Sequence, residues 1–352
     1  MNAEPDPARH PAGRPRPNRL LLAGASALAL VVGAAACGDD EDDAGPLTVY
    51  SGREEELVAP LFDRFEEDTG TEVEVRYGDS AELAATILEE GENSPADAFF
   101  SQDAGSLGAL QAEGLLTELP EGVSAQVDER FRSRERAWVG TSGRARVVAY
   151  NSESVAAAEL PESILGFTDP SWEGRIGWAP TNGSFQAFVT AMRVTEGEEA
   201  TRDWLEGIVA NEPETFTDNE AIRDAIATGE IDAGFINHYY VAQAQEEEGE
   251  GYPVEVDFPA GGDVGALVNV AGVGLLTSSE NDEAALDFVE FLLSPESQRF
   301  FSEETKEYPL IDGVEADPLV VPLAEIEQPD IDLSNLDDLE GTLTLIEESG
   351  AL

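Results

Sequence analysis

Short apolar runs alternate with amphipathic stretches along this chain from residue 47 onward. The short runs predict strands, and the stretches, whose apolar residues recur every three or four positions, predict helices. Ser80 is expected to cap the second helix, since serine is favoured at that position. Such an alternation predicts a mainly parallel sheet that is covered on both faces. The predicted elements of this half are strands 47–50, 73–77 and 98–100 and helices that end at Gly70 and Gly91.

The same alternation resumes after residues 146–150, where we expect a second lobe to begin. The extended segment 268–274 then returns to the first lobe, so two extended crossings would join two open α/β lobes. Ligands of open α/β sheets sit beyond the carboxyl ends of the strands, which predicts a binding cleft between the lobes. The other predicted elements are strands 176–179 and 233–236, helices 184–192, 221–227 and 284–293, and a helix that opens at Tyr239-Tyr240.

The first 36 residues have the layout of a secretory signal, because four arginines precede the uncharged apolar stretch 20–36. This stretch ends in Ala-Ala-Ala and is followed by Cys-Gly, and the junction resembles a bacterial lipobox with Cys37 as the lipidated residue. The alternative is a simple signal peptide that is cut near Ala36. Residues 37–46 are acidic and contain Gly and Pro, as expected of a solvated tether. The sequence therefore predicts an extracytoplasmic lipoprotein that touches the membrane only through its lipid anchor.

Acidic residues dominate the composition, with 74 Asp and Glu against 19 Lys and Arg and a formal net charge of −55. This charge argues against binding nucleic acid or anionic lipid through the folded surface. Lys306 is the only lysine, which favours a protein adapted to a salty habitat over an ordinary acidic secreted protein. A single cysteine excludes an intramolecular disulfide and a cysteine-based zinc site.

The sequence offers little support for catalysis. Once the predicted signal is removed, His238 is the only histidine, and no Gly-x-Ser-x-Gly elbow accompanies it. There is no Walker A loop and no His-Glu-x-x-His helix. The segment 330–335 starts like a calcium-binding loop but has Asn335 and Gly341 at its sixth and twelfth positions, so it fails the pattern. We therefore expect no enzymatic activity.

Five segments carry a resemblance to a known family. They are VYSGRE at 49–54, SPADAFFSQD at 94–103, GRARVVAYN at 143–151, GFINHYY at 234–240, and FSE at 301–303 leading to EYP at 307–309. In this order they resemble bacterial ferric-ion-binding proteins, the extracytoplasmic solute-binding subunits of iron(III) ABC importers. The similarity extends over about residues 47–352, and the Asn-x-Tyr-Tyr motif is its specific part.

The resemblance implies a fold, a set of partners and a division into lobes. It implies a two-lobed, type II periplasmic-binding-protein-like α/β fold, present as a monomer. Its partners would be ferric ion and an ABC permease with its ATPase. The expected divisions are a signal over 1–36, a tether over 37–46, a first lobe over 47–146 with 270–320, and a second lobe over 147–269 with 321–352.

The resemblance also implies iron ligands. Tyr239 and Tyr240 match the family's main ligands, and ionised phenols suit Fe(III), which favours anionic oxygen. Without the motif, the same pair would be read as one core tyrosine and one surface tyrosine. Many members have a His and a Glu where this chain has Glu54 and Gln102. Glu54 either supplies a carboxylate oxygen to the iron or belongs only to an acidic helix start. Gln102 is neutral and a poor ferric ligand. Asp103, water or a second anion would then fill the coordination position of Gln102.

A synergistic anion such as carbonate, phosphate or citrate completes the site in the family. Residues at helix starts offer N–H groups and hydroxyls that cradle an anion, although the same residues also serve as ordinary helix caps. His238 is expected to face away from the iron. Arg144 and Arg146 either touch the anion or pair with a carboxylate across the hinge, and we favour the second. The predicted anion-binding residues are Asn182, Gly183, Ser184, Asn219 and Asn237.

Two other functions remain open from the sequence. The chain could be an ABC receptor for an organic or oxyanion solute such as a phosphonate, because Gln102 and the cradle residues suit an anion. It could also be an acidic surface protein without a transported ligand. The leading hypothesis is a lipid-anchored receptor that captures Fe(III) with an anion between two closing lobes and delivers it to an importer.

Overall fold

The computed structural model describes residues 45–249 and 251–352. The predicted signal over 1–36, Cys37 and the tether as far as residue 44 lie outside the described residues. Within the described ranges, none of the helices is both long enough and apolar enough to cross a membrane.

Ten strands form one mixed sheet in the described part of the chain, in the order β2-β1-β3-β9-β4-β7-β5-β6, with β8 and β10 pairing with β4. The strands are β1 (Leu47–Ser51), β2 (Val73–Tyr77), β3 (Ala98–Ser101), β4 (Val139–Asn151), β5 (Ile176–Trp178), β6 (Glu214–Thr215), β7 (Ala233–Asn237), β8 (Val254–Asp257), β9 (Val268–Leu275) and β10 (Tyr308–Pro309).

Helices cover this sheet. They are α1 (Glu55–Thr69), α2 (Ser80–Glu90), α3 (Ala104–Ala112), α4 (Glu121–Ser124), α5 (Gly183–Thr195), α6 (Glu198–Ala210), α7 (Asn219–Thr228), α8 (Tyr239–Glu248), α9 (Asp282–Leu292), α10 (Pro295–Glu303) and α11 (Leu339–Glu348). Short 3-10 helices occur in the connections, and the one at Leu333–Leu336 matters below.

The pairing of the strands explains the two-lobed architecture. Strands β1, β2 and β3 pair in parallel on one side, and β5, β6 and β7 pair in parallel on the other. The long strands β4 and β9 lie between them and pair antiparallel with each other. Strand β4 pairs with β9 up to Ala145 and with β7 from Arg146 onward, so it passes from one set of strands to the other. The two extended crossings expected from the sequence are therefore β4 and β9.

Apolar side chains at helical spacing place α1 on the sheet. Its buried face includes Phe62 and Phe65, whose rings lie 5.4 and 5.3 Å from the ring of Phe288 on α9. Gly70 ends α1 in the left-handed region, with φ of 77°, a conformation that glycine adopts without steric cost. The helix end predicted at Gly70 is confirmed.

The cap predicted for α2 is wrong by one residue. Asp79, not Ser80, is the N-cap, and its carboxylate accepts hydrogen bonds from the backbone N–H groups of Ala81 and Glu82. The hydroxyl of Ser80 instead accepts from the N–H of Gln102, at 2.9 Å. Ser80 thus joins the start of α2 to the loop after β3.

The C-terminal segment touches both sets of strands and helices. The 3-10 helix Leu333–Leu336 packs on α3, where a Cβ atom on Gly105 would lie only 2.3 Å from the carbonyl oxygen of Leu336. Helix α11 then packs on α5 and α6. This segment is a third connection between the two halves, which the sequence did not predict. The lobe boundaries 47–146 with 270–320 and 147–269 with 321–352 remain a proposal.

Two buried cations, Arg53 and Lys306, form ion pairs that hold the segment around residue 306. Arg53 donates from Nη2 to both carboxylate oxygens of Glu307, at 3.0 Å, and Ser142 donates its hydroxyl to Glu307 Oε2 at 2.6 Å. Lys306 is also buried, and its ammonium group contacts Glu246 Oε1 at 2.8 Å and Asp317 Oδ2 at 2.9 Å. Charges removed from water need such partners, so both cations are held in fixed positions.

Candidate functional site

A cleft of about 720 Å³ opens between the two halves of the sheet. Its walls come from the loops after β1 and β3 on one side and from the starts of α5, α7 and α8 on the other. These loops follow the carboxyl ends of strands, as expected for a ligand site in an α/β fold. The cleft brings together every site residue predicted in the folded part of the chain, namely Glu54, Gln102, Asn182, Gly183, Ser184, Asn219, Asn237, Tyr239 and Tyr240.

Two tyrosines stand side by side at the start of α8. The ring centroids of Tyr239 and Tyr240 are 4.2 Å apart and the rings are tilted by 33°. Tyr239 is buried and Tyr240 is half-buried, and both line the cleft. Burial, followed by the neighbouring Tyr239, raises the pKa of Tyr240 far above its usual range. Without a cation to bind, the Tyr240 phenol therefore keeps its proton, and a cation that displaced it would gain an anionic oxygen.

The opposite wall carries two of the predicted residues and one alternative. Glu54 precedes α1 and makes no side-chain hydrogen bond to the helix start. Gln102 Oε1 is buried and has no hydrogen-bond partner in the described structure. Asp103 is half-buried and caps α3, accepting from the N–H and the hydroxyl of Ser106, and its removal from water raises the pKa of its carboxyl group. Glu54 and Gln102 thus have free oxygens at the cleft, whereas the oxygens of Asp103 are already used.

The predicted anion cradle is assembled from the starts of two helices and the end of a strand. Asn182 caps α5 and accepts from the N–H of Ser184 at 3.0 Å and from its hydroxyl at 2.6 Å. Asn219, the first residue of α7, donates to Asn182 Oδ1 at 3.3 Å. Asn237 ends β7, and its N–H donates to Asn219 Oδ1 at 3.3 Å. Of these residues, Asn182 serves as a helix cap, whereas the N-cap of α7 is Asp218; anion binding by the set stays a prediction.

Arg146 lies behind this cradle and holds it together. Its Nη1 donates to Ser184 Oγ at 3.1 Å, Asn219 Oδ1 at 3.3 Å and Asn237 Oδ1 at 3.4 Å. Its Nη2 donates to the carbonyl oxygen of Phe235. Burial lowers the pKa of Arg146 to about 9, so the guanidinium is still charged at neutral pH. Its two terminal nitrogens together serve four acceptors, one more than the three N–H groups of a lysine could serve.

The expectation that Arg144 or Arg146 pairs with a carboxylate is wrong. Among the described residues, neither guanidinium forms an ion pair with Asp or Glu. Arg144 lines the cleft, is buried, and has Nε and Nη1 without a hydrogen-bond partner. The two arginines alternate with Ala145 along β4, so both side chains project from the same face of the strand. The cleft wall thus contains buried positive charge without a partner carboxylate.

His238 belongs to the core and not to the cleft wall. Its ring stacks on Tyr308, with centroids 4.4 Å apart and an interplanar angle of 11°, and its Nδ1 accepts from the N–H of Ala145 at 3.1 Å. Burial lowers the pKa of His238 to about 4, so the imidazole is neutral. A neutral buried ring next to the tyrosine pair fixes the start of α8.

Two parts of the cleft lining were not predicted from the sequence. Tyr77 at the end of β2 lines the cleft, although the sequence marked it only as a strand residue. The connection between the 3-10 helix and α11 also lines it, through Leu336, Asp337 and Leu339. The alternating pattern that predicts a strand also predicts which face Tyr77 occupies, but the approach of the C-terminal segment leaves no local pattern.

A family model and several known proteins match this chain. The family model described as bacterial extracellular solute-binding protein matches residues 60–327. The "Major ferric iron-binding protein" of Neisseria meningitidis serogroup B is 34% identical over 307 residues, which are 86% of this chain and 92% of that protein.

Solved structures give the same picture. Iron-bound HitA from Pseudomonas aeruginosa is 34% identical and superimposes with a TM-score of 0.81 over 87% of this chain and 99% of that one. FutA from Trichodesmium, in complex with iron and citrate, is 30% identical and has a TM-score of 0.76 over 87% of this chain and 99% of that one. Both similarities extend over both halves of the sheet and the cleft between them.

Proposed function

This chain belongs to the family of bacterial ferric-ion-binding proteins, which are extracellular solute-binding proteins, and we propose that it captures Fe(III) in the cleft together with a small anion. The observation that carries this proposal is the pair of phenols at the start of α8, with ring centroids 4.2 Å apart, inside the cleft. Two phenolates side by side are a hard, anionic oxygen set suited to a trivalent cation. The relatives named above are ferric iron-binding or iron-bound proteins, in keeping with this assignment.

Tyr239 and Tyr240 are the proposed main ligands of the iron. The N-terminal end of α8 favours negative charge, so it would help to keep both phenols ionised once the metal has displaced their protons. Glu54 would supply a carboxylate oxygen from the opposite wall when the cleft closes. Gln102 would offer only a neutral amide oxygen, which leaves room for water or an anion in the coordination sphere.

The anion would sit in the cradle formed by Asn182, Gly183, Ser184, Asn219 and Asn237. The start of α5 supplies backbone N–H groups, and the two unpartnered nitrogens of Arg144 supply charge-assisted donors at the same wall. Carbonate, phosphate and citrate all present the oxygens that such donors recognise. A bound anion would thereby neutralise Arg144 and occupy iron positions that the protein leaves open.

Delivery to an ABC permease and its ATPase, from a lipid anchor at Cys37, completes the proposal. It rests on the extracellular character of the family and on the lipobox-like end of the apolar stretch. An anchored receptor stays near the membrane, so its effective concentration at the importer is high. Incorporation of radiolabelled palmitate into the expressed full-length chain, and its loss in Cys37→Ser, would test the anchor.

Titration of iron-free protein with ferric citrate tests the proposed function. We expect a visible absorption band from phenolate-to-iron charge transfer that saturates at one equivalent of iron. We also expect the iron affinity to change when carbonate, phosphate or citrate is removed and restored in turn. A protein that stays colourless at one equivalent of bound iron would contradict the tyrosine site.

The contribution of Arg146 to the cradle gives a separate prediction. Arg146→Lys keeps a positive charge but has one nitrogen with three N–H groups, too few for Ser184, Asn219, Asn237 and the Phe235 carbonyl oxygen together, so we expect iron affinity to fall about tenfold. The visible band should keep its position, because both tyrosines remain. Competition with citrate at several carbonate and phosphate concentrations measures the effect. The matched control is Arg202→Lys at an exposed pair with Glu348, where wild-type affinity is expected.

A second candidate function is a receptor for an organic or oxyanion solute such as a phosphonate. The neutral Gln102 and the unpaired guanidinium of Arg144 favour it. Calorimetry of iron-free protein with a panel of anions separates the two. Tight anion binding that does not respond to iron would favour the anion receptor, and anion binding that appears only with iron would favour the ferric receptor.

A further inference from the structure

The loops that carry Glu54 and Gln102 follow two neighbouring parallel strands and are built alike. In each case the last strand residue is a fully buried serine, Ser51 in β1 and Ser101 in β3. The hydroxyl of each serine accepts from the backbone N–H two positions further along, at 3.2 Å in both loops. Each turn fixes only its own loop, so the distance between the Glu54 and Gln102 side chains depends on the contacts between the loops.

Ser80, the first residue of α2, fills the space between these two loops. It is 4% exposed, and its Oγ accepts from the N–H of Gln102 at 2.9 Å. On its other side it touches Gly52, because a Cβ atom added to that glycine would overlap Ser80 Oγ and lie 2.9 Å from Ser80 Cβ. One buried side chain therefore contacts the loop of Glu54 and the loop of Gln102 at once.

Helix α2 itself does not need this hydroxyl. Asp79 caps the helix by accepting from the N–H groups of Ala81 and Glu82, and alanine is a better helix former than serine. The hydrogen bond that Ser80 Oγ accepts comes instead from the neighbouring loop, where a buried N–H without a partner would be costly. The serine at this position therefore supports the cleft wall and not the helix.

The loop that carries Glu54 faces the tyrosine pair across the cleft. Glu54 lines the cleft together with Tyr239 and Tyr240, and after burial and Tyr239 its negative charge also raises the pKa of Tyr240. Metal ligands depend on the residues that hold them in place, and loss of such support commonly lowers metal affinity by about 10- to 100-fold. A small displacement of the Glu54 loop would therefore weaken the binding of iron by the two phenols.

We propose that Ser80 is a positioning residue of the iron site, which holds the Glu54 and Gln102 loops at the spacing needed to meet Fe(III) on the tyrosine pair. This role rests on the proposed ferric function. In it Ser80 does not touch the metal but acts through its hydrogen bond to Gln102 and its close contact with Gly52. The anion cradle is a separate part of the site, because its residues lie on the other wall of the cleft.

Ser80→Ala removes the hydroxyl and leaves every proposed ligand in the chain. We expect iron affinity to fall about tenfold. The visible band should move to longer wavelength, because iron that loses a carboxylate oxygen accepts charge from the phenolates more readily, and Glu54→Gln should move it in the same direction. Absorption spectra and competition with citrate measure both quantities. The control is Ser302→Ala, a buried serine outside the cleft that donates to the Glu315 carbonyl oxygen at 3.0 Å and should keep wild-type affinity and colour.

A double-mutant cycle separates positioning from a general loss of stability. In a chain that carries both Glu54→Gln and Gln102→Ala, Ser80 has no ligand left to position, so Ser80→Ala should change iron affinity by less than about twofold. A further loss of about tenfold in that background would overturn the proposal. A lower unfolding midpoint for Ser80→Ala, with wild-type affinity and an unshifted band, would overturn it as well.

Gly52→Ala tests the same contact from its other side and keeps every hydroxyl and ligand. Its methyl group would displace Ser80, so we expect the band to shift in the same direction, and an unchanged spectrum would contradict the positioning role. The wild-type protein separates the two proposals. A colourless wild type would overturn the ferric site and this role with it, whereas a coloured wild type with an unaffected Ser80→Ala would overturn only the role of Ser80.

Discussion

Replacement of both phenols, as Tyr239→Phe with Tyr240→Phe, should abolish the visible iron band and lower iron affinity by at least about a thousandfold, or about 4 kcal/mol. Phenylalanine keeps each ring and its contacts at the start of α8, so the fold should be retained. The loss would come from the two anionic oxygens alone. Absorption spectroscopy and competition with citrate measure both quantities on the same sample.

Single variants separate the contributions of the two phenols to the iron affinity and to the visible band. Each of Tyr239→Phe and Tyr240→Phe should weaken iron binding and shift the band, because one phenolate remains in each. Tyr252→Phe, a half-buried tyrosine that does not line the cleft, is the control and should behave as wild type. Wild-type iron affinity in the double variant would show that the metal is held elsewhere.

The second large effect concerns stability. Glu307→Gln removes the carboxylate that neutralises the buried guanidinium of Arg53, so we expect the free energy of unfolding to fall by about 3 kcal/mol. Arg53 already has Nε and Nη1 without partners, so no other acceptor stands ready to replace Glu307. Urea unfolding, followed by fluorescence, measures the change in midpoint at constant slope.

A surface pair provides the comparison. Glu348→Gln breaks the exposed pair with Arg202, where 35% of the arginine and 57% of the glutamate side chain are exposed. Exposed pairs of this kind contribute less than about 1 kcal/mol. Similar losses for Glu307→Gln and Glu348→Gln would mean that burial does not govern the strength of the Arg53 pair.

Local sequence patterns were sufficient to predict most of the strands and helices. The strands and helices of the first half were predicted close to their observed bounds, because short apolar runs and a glycine stop act within a few residues. Strands β4 and β9 were recognised as crossings for the same reason. The cap at Asp79 was missed because Ser80 and Asp79 are both good caps, and only the contact of Ser80 with Gln102 separates them.

The residues of the candidate site were predicted from a motif, but the contacts that hold them in place were not predicted. Tyr239, Tyr240 and the cradle residues lie in the cleft as expected. Arg144 or Arg146 was expected to pair with a carboxylate across the hinge, yet Nη1 of Arg146 donates to Ser184, Asn219 and Asn237. These three residues come from different elements, so no spacing along the chain reveals that they converge. The contact of the C-terminal segment with Gly105 likewise has no signal in the spacing of residues along the chain.

Lys306, enclosed by Glu246 and Asp317, has one further consequence. It carries the sole side-chain primary amine of the whole chain. Succinimidyl dyes, formaldehyde and lysine acetyltransferases would find that nitrogen withdrawn from solvent in the native protein, and trypsin would be left with cleavage after arginine. Reagents that modify carboxylates would, in contrast, find many targets, because the chain has 74 Asp and Glu residues.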